Sequence, residues 1–164
     1  MKLLISCLFF LFASLGHAAE TRFDSVYFFQ EEEVLKEKQV NFQDFARFNR
    51  SVQSAVWKAL KKVSMPASAG YLVVAVRADG KIAAWLDMQP ALHEYYDAAV
   101  TEAVSKLRPF ALSDGIVVFG MKMAVNTAVF TSKAKPQPKD WADAQKAAAD
   151  PDDIEAIVQA AWPE

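Results

Sequence analysis

Between Gly70 and Asn126 the chain reads as two apolar runs joined at Asp79-Gly80, an amphipathic stretch, and a third apolar run. This order constrains the fold more than any other feature, because two short strands joined by a tight turn must pair, and the helix that follows must cover what they bury. The first strand, Tyr71 to Arg77, is apolar on both faces, as a strand in the middle of a sheet should be. An Asp-Gly pair in Ala78-Asp79-Gly80-Lys81 suits a hairpin that needs positive φ angles. The returning strand puts Ile82, Ala84, Leu86 and Met88 on one face and Ala83, Trp85 and Asp87 on the other, and the second face reads as half exposed. Pro90 fits a helix start, and Leu92, Tyr95 or Tyr96, Ala99, Val100, Ala103, Val104 and Leu107 give the helical stripe, closed by Arg108-Pro109-Phe110. The third strand, Gly115 to Val125, alternates. Val117, Phe119, Met121, Met123 and Val125 form the expected core face, with Ile116, Val118, Gly120, Lys122 and Ala124 opposite.

A further helix precedes the hairpin. Asn41 is a good N-cap with Asp44 three positions on, and Phe42, Phe45, Asn49, Val52, Val56, Leu60 and Val63 recur every three or four residues, leaving Phe48 and Trp57 off the stripe. Ser64-Met65-Pro66 ends it. The expected fold is therefore α+β, a three-stranded antiparallel sheet in α-β-β-α-β order with helices on one face. Phe23 to Phe29 is aromatic and β-prone, and Gln30 to Lys38 is charged and helix-prone. Pro136 and Pro138 among lysines read as a linker, and Asp150-Pro151-Asp152-Asp153 opens a short helix carrying Ile154, Ile157, Val158 and Trp162. The reading divides the chain into a leader (1–18), an N-terminal extension (19–40), a domain (41–132), and a Pro linker with a helical tail (133–164).

Compartment decides which chemistries are open. Lys2 precedes the apolar run Leu3 to Leu15, followed by Gly16-His17-Ala18, the pattern of an exported chain cut near Ala18. The run is too short to span a bilayer, which takes about 20 residues, so no stable anchor is expected after cleavage. Cys7 loosely resembles a lipidation site, but too little hydrophobic sequence precedes it. Cleavage removes the one Cys and one of the two His, leaving His93, and loss of Lys2 takes the formal net charge from -2 to −3. Disulfides, thiolate chemistry and Cys-ligated metals are then excluded, and a lone His has no partner for a zinc site or a triad. No cofactor or metal is expected. Scattered charge of this sign gives no reason to expect a nucleic-acid partner.

The residues Gln53-Ser54-Ala55-Val56-Trp57-Lys58-Ala59-Leu60, Gly70-Tyr71-Leu72-Val73-Val74-Ala75-Val76, Arg77-Ala78-Asp79-Gly80-Lys81-Ile82, Tyr96-Asp97-Ala98-Ala99-Val100-Thr101-Glu102-Ala103-Val104 and Val117-Val118-Phe119 together resemble the C-terminal domain of the TonB and TolA cell-envelope proteins. The likeness covers residues 45–126, about half the chain. It implies a periplasmic, non-catalytic domain that binds envelope proteins, an outer-membrane receptor or a periplasmic component, in part by letting an extended segment add to its last strand, with a link to TonB-type transport. Carried to this chain, that strand offers Ile116, Val118, Gly120, Lys122, Ala124 and Asn126, helped by Trp85. Independently, a third strand with only one neighbour would be an unpaired edge, open to a partner or to a second copy of the chain. Lys122 there suits either a partner contact or a charged guard against aggregation. The chain departs from the family's energy-coupling members in its cleavable leader, its short spacer and the lack of a Tyr-Pro motif before the domain, so it reads as a free-standing relative.

Two other readings stand beside this one. A carboxylate-dependent hydrolase would draw on Asp87, Glu94 and Asp97 at the second strand and the helix start. An adaptor or inhibitor would act through its tail, with Trp141 and Trp162 as anchors in a partner's groove.

Overall fold

A computed structural model describes residues 19–163. The leader at 1–18 lies outside the described residues. The elements are β1 (Thr21–Phe28), α1 (Glu32–Glu37), α2 (Phe42–Leu60), β2 (Ser68–Arg77), β3 (Ile82–Gln89), α3 (Glu94–Ser105), β4 (Ile116–Val125), a 3-10 turn at Lys139–Trp141, α4 (Ala142–Ala147) and α5 (Ile154–Ala160). The fold is α+β around an antiparallel sheet in the order β1-β4-β2-β3.

That order corrects the expected sheet in two ways. It has four strands rather than three, because the N-terminal extension supplies β1, which pairs with β4 from Thr21 opposite Val125 to Phe28 opposite Phe119. It is also covered on both faces rather than one. Beneath it, α2 and α3 bury Phe45, Phe48, Val52, Val56, Leu60, Val100 and Val104 against Leu72, Val74, Val76, Ile82, Ala84, Met88 and the odd-numbered residues of β4. On the opposite face the C-terminal segment lays Trp141, Ile157 and Val158 over Tyr71, Val73, Ala75, Ala83, Trp85, Ile116 and Val118. The extension and the tail thus belong to the same two cores as the hairpin. The physical reason is the apolar content of the upper face. Ile116, Val118, Trp85 and Val73 left in water would forgo roughly 1.5–3 kcal/mol each, and the tail carries the aromatic and aliphatic side chains that recover it.

Local chemistry sets the element ends. The Asn41 carboxamide caps α2 by accepting from the Gln43 and Asp44 N–H groups at 2.9 and 3.1 Å. Phe48, off the sequence stripe, is buried between Phe110 and Phe119 at ring-centroid distances of 5.6 and 6.3 Å. The stripe missed it because Phe110, beyond the end of α3, adds a second wall to the pocket. The Asp79-Gly80 hairpin has three turn residues. Gly80 alone takes a positive φ, its N–H donates to the Arg77 carbonyl at 2.9 Å, and the Arg77 N–H donates to Lys81 O at 2.9 Å. Arg77 also forks onto the Asp79 carboxylate and holds its pKa down to about 2. The helix expected from Pro90 starts later, at Glu94, where His93 Nδ1 caps it by accepting from the Tyr95 N–H at 3.2 Å. His93 is therefore an exposed N-cap.

Candidate functional site

The strand proposed to receive a partner, Ile116 to Asn126, has no free edge. Its backbone pairs with β2 along its whole length and with β1 on the other side. The side chains are equally committed. Ile116 and Val118 lie under the tail, and where β1 ends the Gln30 carboxamide extends the ladder, donating to Ile116 O at 2.9 Å and accepting from the Val118 N–H at 3.0 Å. A Cβ on Gly120 would stand 2.6 Å from Pro136 Cγ, so the absence of a side chain there is what lets the tail cross the sheet. The Lys122 ammonium lies 5.7 Å from the centre of the Tyr71 ring. Ala124 is fully buried. Asn126, at φ 54°, ties the ends of β1 and β4 together by accepting from the Glu20 N–H and donating to Met65 O. Trp85 is 5% exposed and packs edge-on to Trp141 and Trp162. The physical reason for the correction is β1, which occupies the place a partner strand would take.

The free sides belong to β1 and β3. The pairing of β1 with β4 is interrupted between Phe23 and Val26, so Asp24 and Ser25 bulge opposite Lys122. On β3 the register with β2 is continuous from Ile82 to Gln89. Counting outward from the Arg77–Lys81 bond, antiparallel alternation turns the backbone groups of Ala83, Trp85 and Asp87 toward β2. Those of Ile82, Ala84, Leu86 and Met88 turn to the open side.

That open side is the floor of a groove running the full length of β3. One wall is α3, and the other is the returning C-terminal segment. The half beside Leu86 to Gln89 has a volume of about 900 Å³ and is bounded by His93, Glu94, Asp97, Gln137 and Lys139. The half beside Ile82 to Trp85 holds about 600 Å³ and ends at Trp162 and Pro163. Asp97, Ala98, Thr101 and Asp140 line both halves and mark the midpoint. The floor is recessed, since Ala84 is only 6% exposed. The outer wall is fixed by Asp87, whose carboxylate accepts from Lys133 Nζ at 2.6 Å and from the Gln137 N–H at 2.7 Å, and by the Tyr71 hydroxyl donating to Lys133 O at 2.8 Å. The segment expected to be a linker is thus a strap.

The groove is acidic at its middle. Burial first, and then the Asp140 charge, push the Asp97 carboxyl above the ordinary aspartate value, with Lys139 partly opposing. No described ion pair or side-chain hydrogen bond engages that carboxylate. Of the carboxylates considered for catalysis, Asp87 is neutralised by Lys133, Glu94 is exposed at the helix start, and Asp97 faces the groove. Among the described residues no cluster of His, Cys, Asp or Glu is arranged to hold a metal ion, and no helix is long and apolar enough to cross a membrane.

Sequence reasoning singled out Asp87 and Asp97 as carboxylates for catalysis and Trp85 as an exposed contact, but missed the groove they border, since its second wall comes from residues more than forty positions beyond β3. No family model, curated protein or solved structure matches the chain.

Proposed function

We propose that the chain is a non-catalytic, exported interaction module of the cell envelope, akin to the TonB and TolA C-terminal domains, that takes an extended segment of a partner protein at the edge of its sheet. The accepting strand is β3, not β4. The observation that carries this reading is the groove: an unpaired strand edge of eight residues, in continuous register, lying between two walls. An added strand would satisfy the outward backbone groups of Ile82, Ala84, Leu86 and Met88, which supply affinity, while the walls select side chains. The order of α2, β2, β3, α3 and β4 supports the kinship, and the run Leu3 to Leu15 supports export. TonB-type transport is the process such a partner would serve.

Photocrosslinking tests this in intact cells, with the photoreactive residue at Ala98 in the groove and, for comparison, at Asp24 on β1. The reading requires an envelope protein captured from Ala98 through an extended segment, lost when Leu86→Pro removes an outward N–H, and absent from Asp24. Equal capture from both sites, or capture unaffected by Leu86→Pro, would overturn it.

A second reading, a carboxylate-dependent hydrolase, has one observation in its favour: Asp97 has a raised pKa and feels the charge of Asp140 in the same groove. Asp97→Asn with a loss of turnover on a glycoside or peptide substrate would establish it in place of the first.

A further inference from the structure

We propose that the occupant of the β3 groove is an extended peptide segment with a lysine or arginine at its centre, held by Asp97 from the α3 wall and Asp140 from the opposite wall. This rests on the reading of β3 as the accepting edge and adds the chemistry of what is accepted.

The argument is one of charge complementarity inside a shape that fits an extended chain. Asp97 and Asp140 come from separate elements, yet both lie where the two halves of the groove meet. Asp97 is partly desolvated and repelled by Asp140, the nearby Lys139 charge offsets this only in part, and no described ion pair engages the carboxylate, so its charge on balance opposes folding. Elsewhere the protein settles its desolvated charges. Lys38, 7% exposed, lies 2.7 Å from Glu155, and Asp87 lies 2.6 Å from Lys133. Two carboxylates lining the same middle stretch of a groove beside an open strand edge are therefore complementary to a cation that arrives with the ligand. Ala98 and Thr101, which follow Asp97 on α3 and line both halves of the groove, are small enough to leave a long side chain room to lie across it.

A second copy of the chain fits less well. Strands must approach to about 4.8 Å to pair, and each copy's β3 is recessed between its own walls. An arriving segment would have to be a single extended strand.

The groups facing Asp97 are Asp140 and Lys139 on the strap, His93 and Glu94 at the start of α3, and Asp87 on β3 with its partner Lys133. A bound cation favours the ionised carboxylate. Binding therefore releases protons, and affinity falls as pH drops into the raised range of Asp97, which lies above its ordinary 3.8.

The test uses the full exported chain and three fluorescent peptides that alternate valine and threonine over seven residues, with lysine, glutamine or glutamate at the centre. Titration by anisotropy should rank them lysine, glutamine, glutamate, with about tenfold between neighbours. Asp97→Asn and Asp140→Asn should each remove about tenfold from the lysine peptide and leave the glutamine peptide unchanged. All three peptides binding equally, with Ala84 and Leu86 amides protected in each case, would overturn the charge proposal and keep the accepting edge. No binding of any peptide, with those amides unprotected, would overturn both. Binding of the lysine peptide that survives both Asp substitutions would also overturn the charge proposal.

Discussion

β1 and β3 both close the sheet with one unpaired side, but they meet the hazard of an open edge differently. β1 breaks its register at Asp24 and Ser25 and exposes both, a bulge with a charge that spoils pairing for any arriving strand. β3 keeps its register throughout and carries no bulge. It is guarded instead by walls on either side that leave a groove between them. The first device works against pairing with any arriving strand, while the second keeps a broad surface away and leaves space of the width the proposed extended segment needs. That difference is why the proposed function is assigned to β3.

The comparison can be broken most violently by removing a wall. Deleting residues 136–164 takes Trp141, Ile157 and Val158 off the upper face, each worth roughly 1.5–3 kcal/mol of burial, against a total of about 5–15 kcal/mol for a domain. The truncated chain should lose its cooperative thermal transition and bind a hydrophobic dye, and circular dichroism with dye fluorescence would show it. Next in size is proline at an inner strand set against proline at an outer one. Val118→Pro removes an N–H bonded to Gln30 Oε1 in a strand paired on both sides, and should cost about 3 kcal/mol or more in a denaturant titration. Leu86→Pro removes an outward N–H and should cost less than Val118→Pro while abolishing capture of the partner.

Smaller effects sharpen the picture. Gln30→Ala leaves Ile116 O and Val118 N without their partner where β1 runs out, and should cost roughly 1–3 kcal/mol by the same titration, with peptide binding at β3 unaltered. The smallest effect is at Asp97. Its folded-state pKa lies above the unfolded value, so the folded protein holds its proton more tightly, and stability declines as pH rises through that window. Asp97→Asn should therefore raise the melting temperature slightly at neutral pH, with no gain at a pH below the ordinary 3.8. A fall at neutral pH would mean that the carboxylate is engaged after all.

The parts of the fold legible in the sequence are those with a local period. The Asn41 cap, the Asp79-Gly80 turn, the alternation of β4 and most of the α2 stripe, Phe45, Val52, Val56 and Leu60, reappear in place, while Phe42 is exposed and Phe48 is buried instead. What was missed has no local period. β1 reads as β-prone, but nothing near Phe23 says that its partner is β4, about a hundred residues away. One signal in β4 itself pointed the right way. Lys122 is its only charged residue, and a strand apolar on both faces asks for cover on both and for neighbours on both sides, the argument that correctly placed β2 in the interior. Pro136 and Pro138 suggested a linker because proline interrupts regular structure, yet both are buried in the strap that crosses the sheet at Gly120. The groove needed α3, β3 and that strap together, so its parts were visible singly and their meeting was not.

The most direct test is site-resolved amide hydrogen exchange across β3 and β4, in the free protein and with the central-lysine peptide. The account predicts slow exchange at every ladder position of β4. Along β3 it predicts alternation, with Ala84 and Leu86 exchanging on the order of a hundredfold faster than Ala83 and Trp85 until the peptide slows them. Uniformly slow exchange along β3 with alternation in β4 would contradict it, and would return the open edge to the strand that ends at Val125.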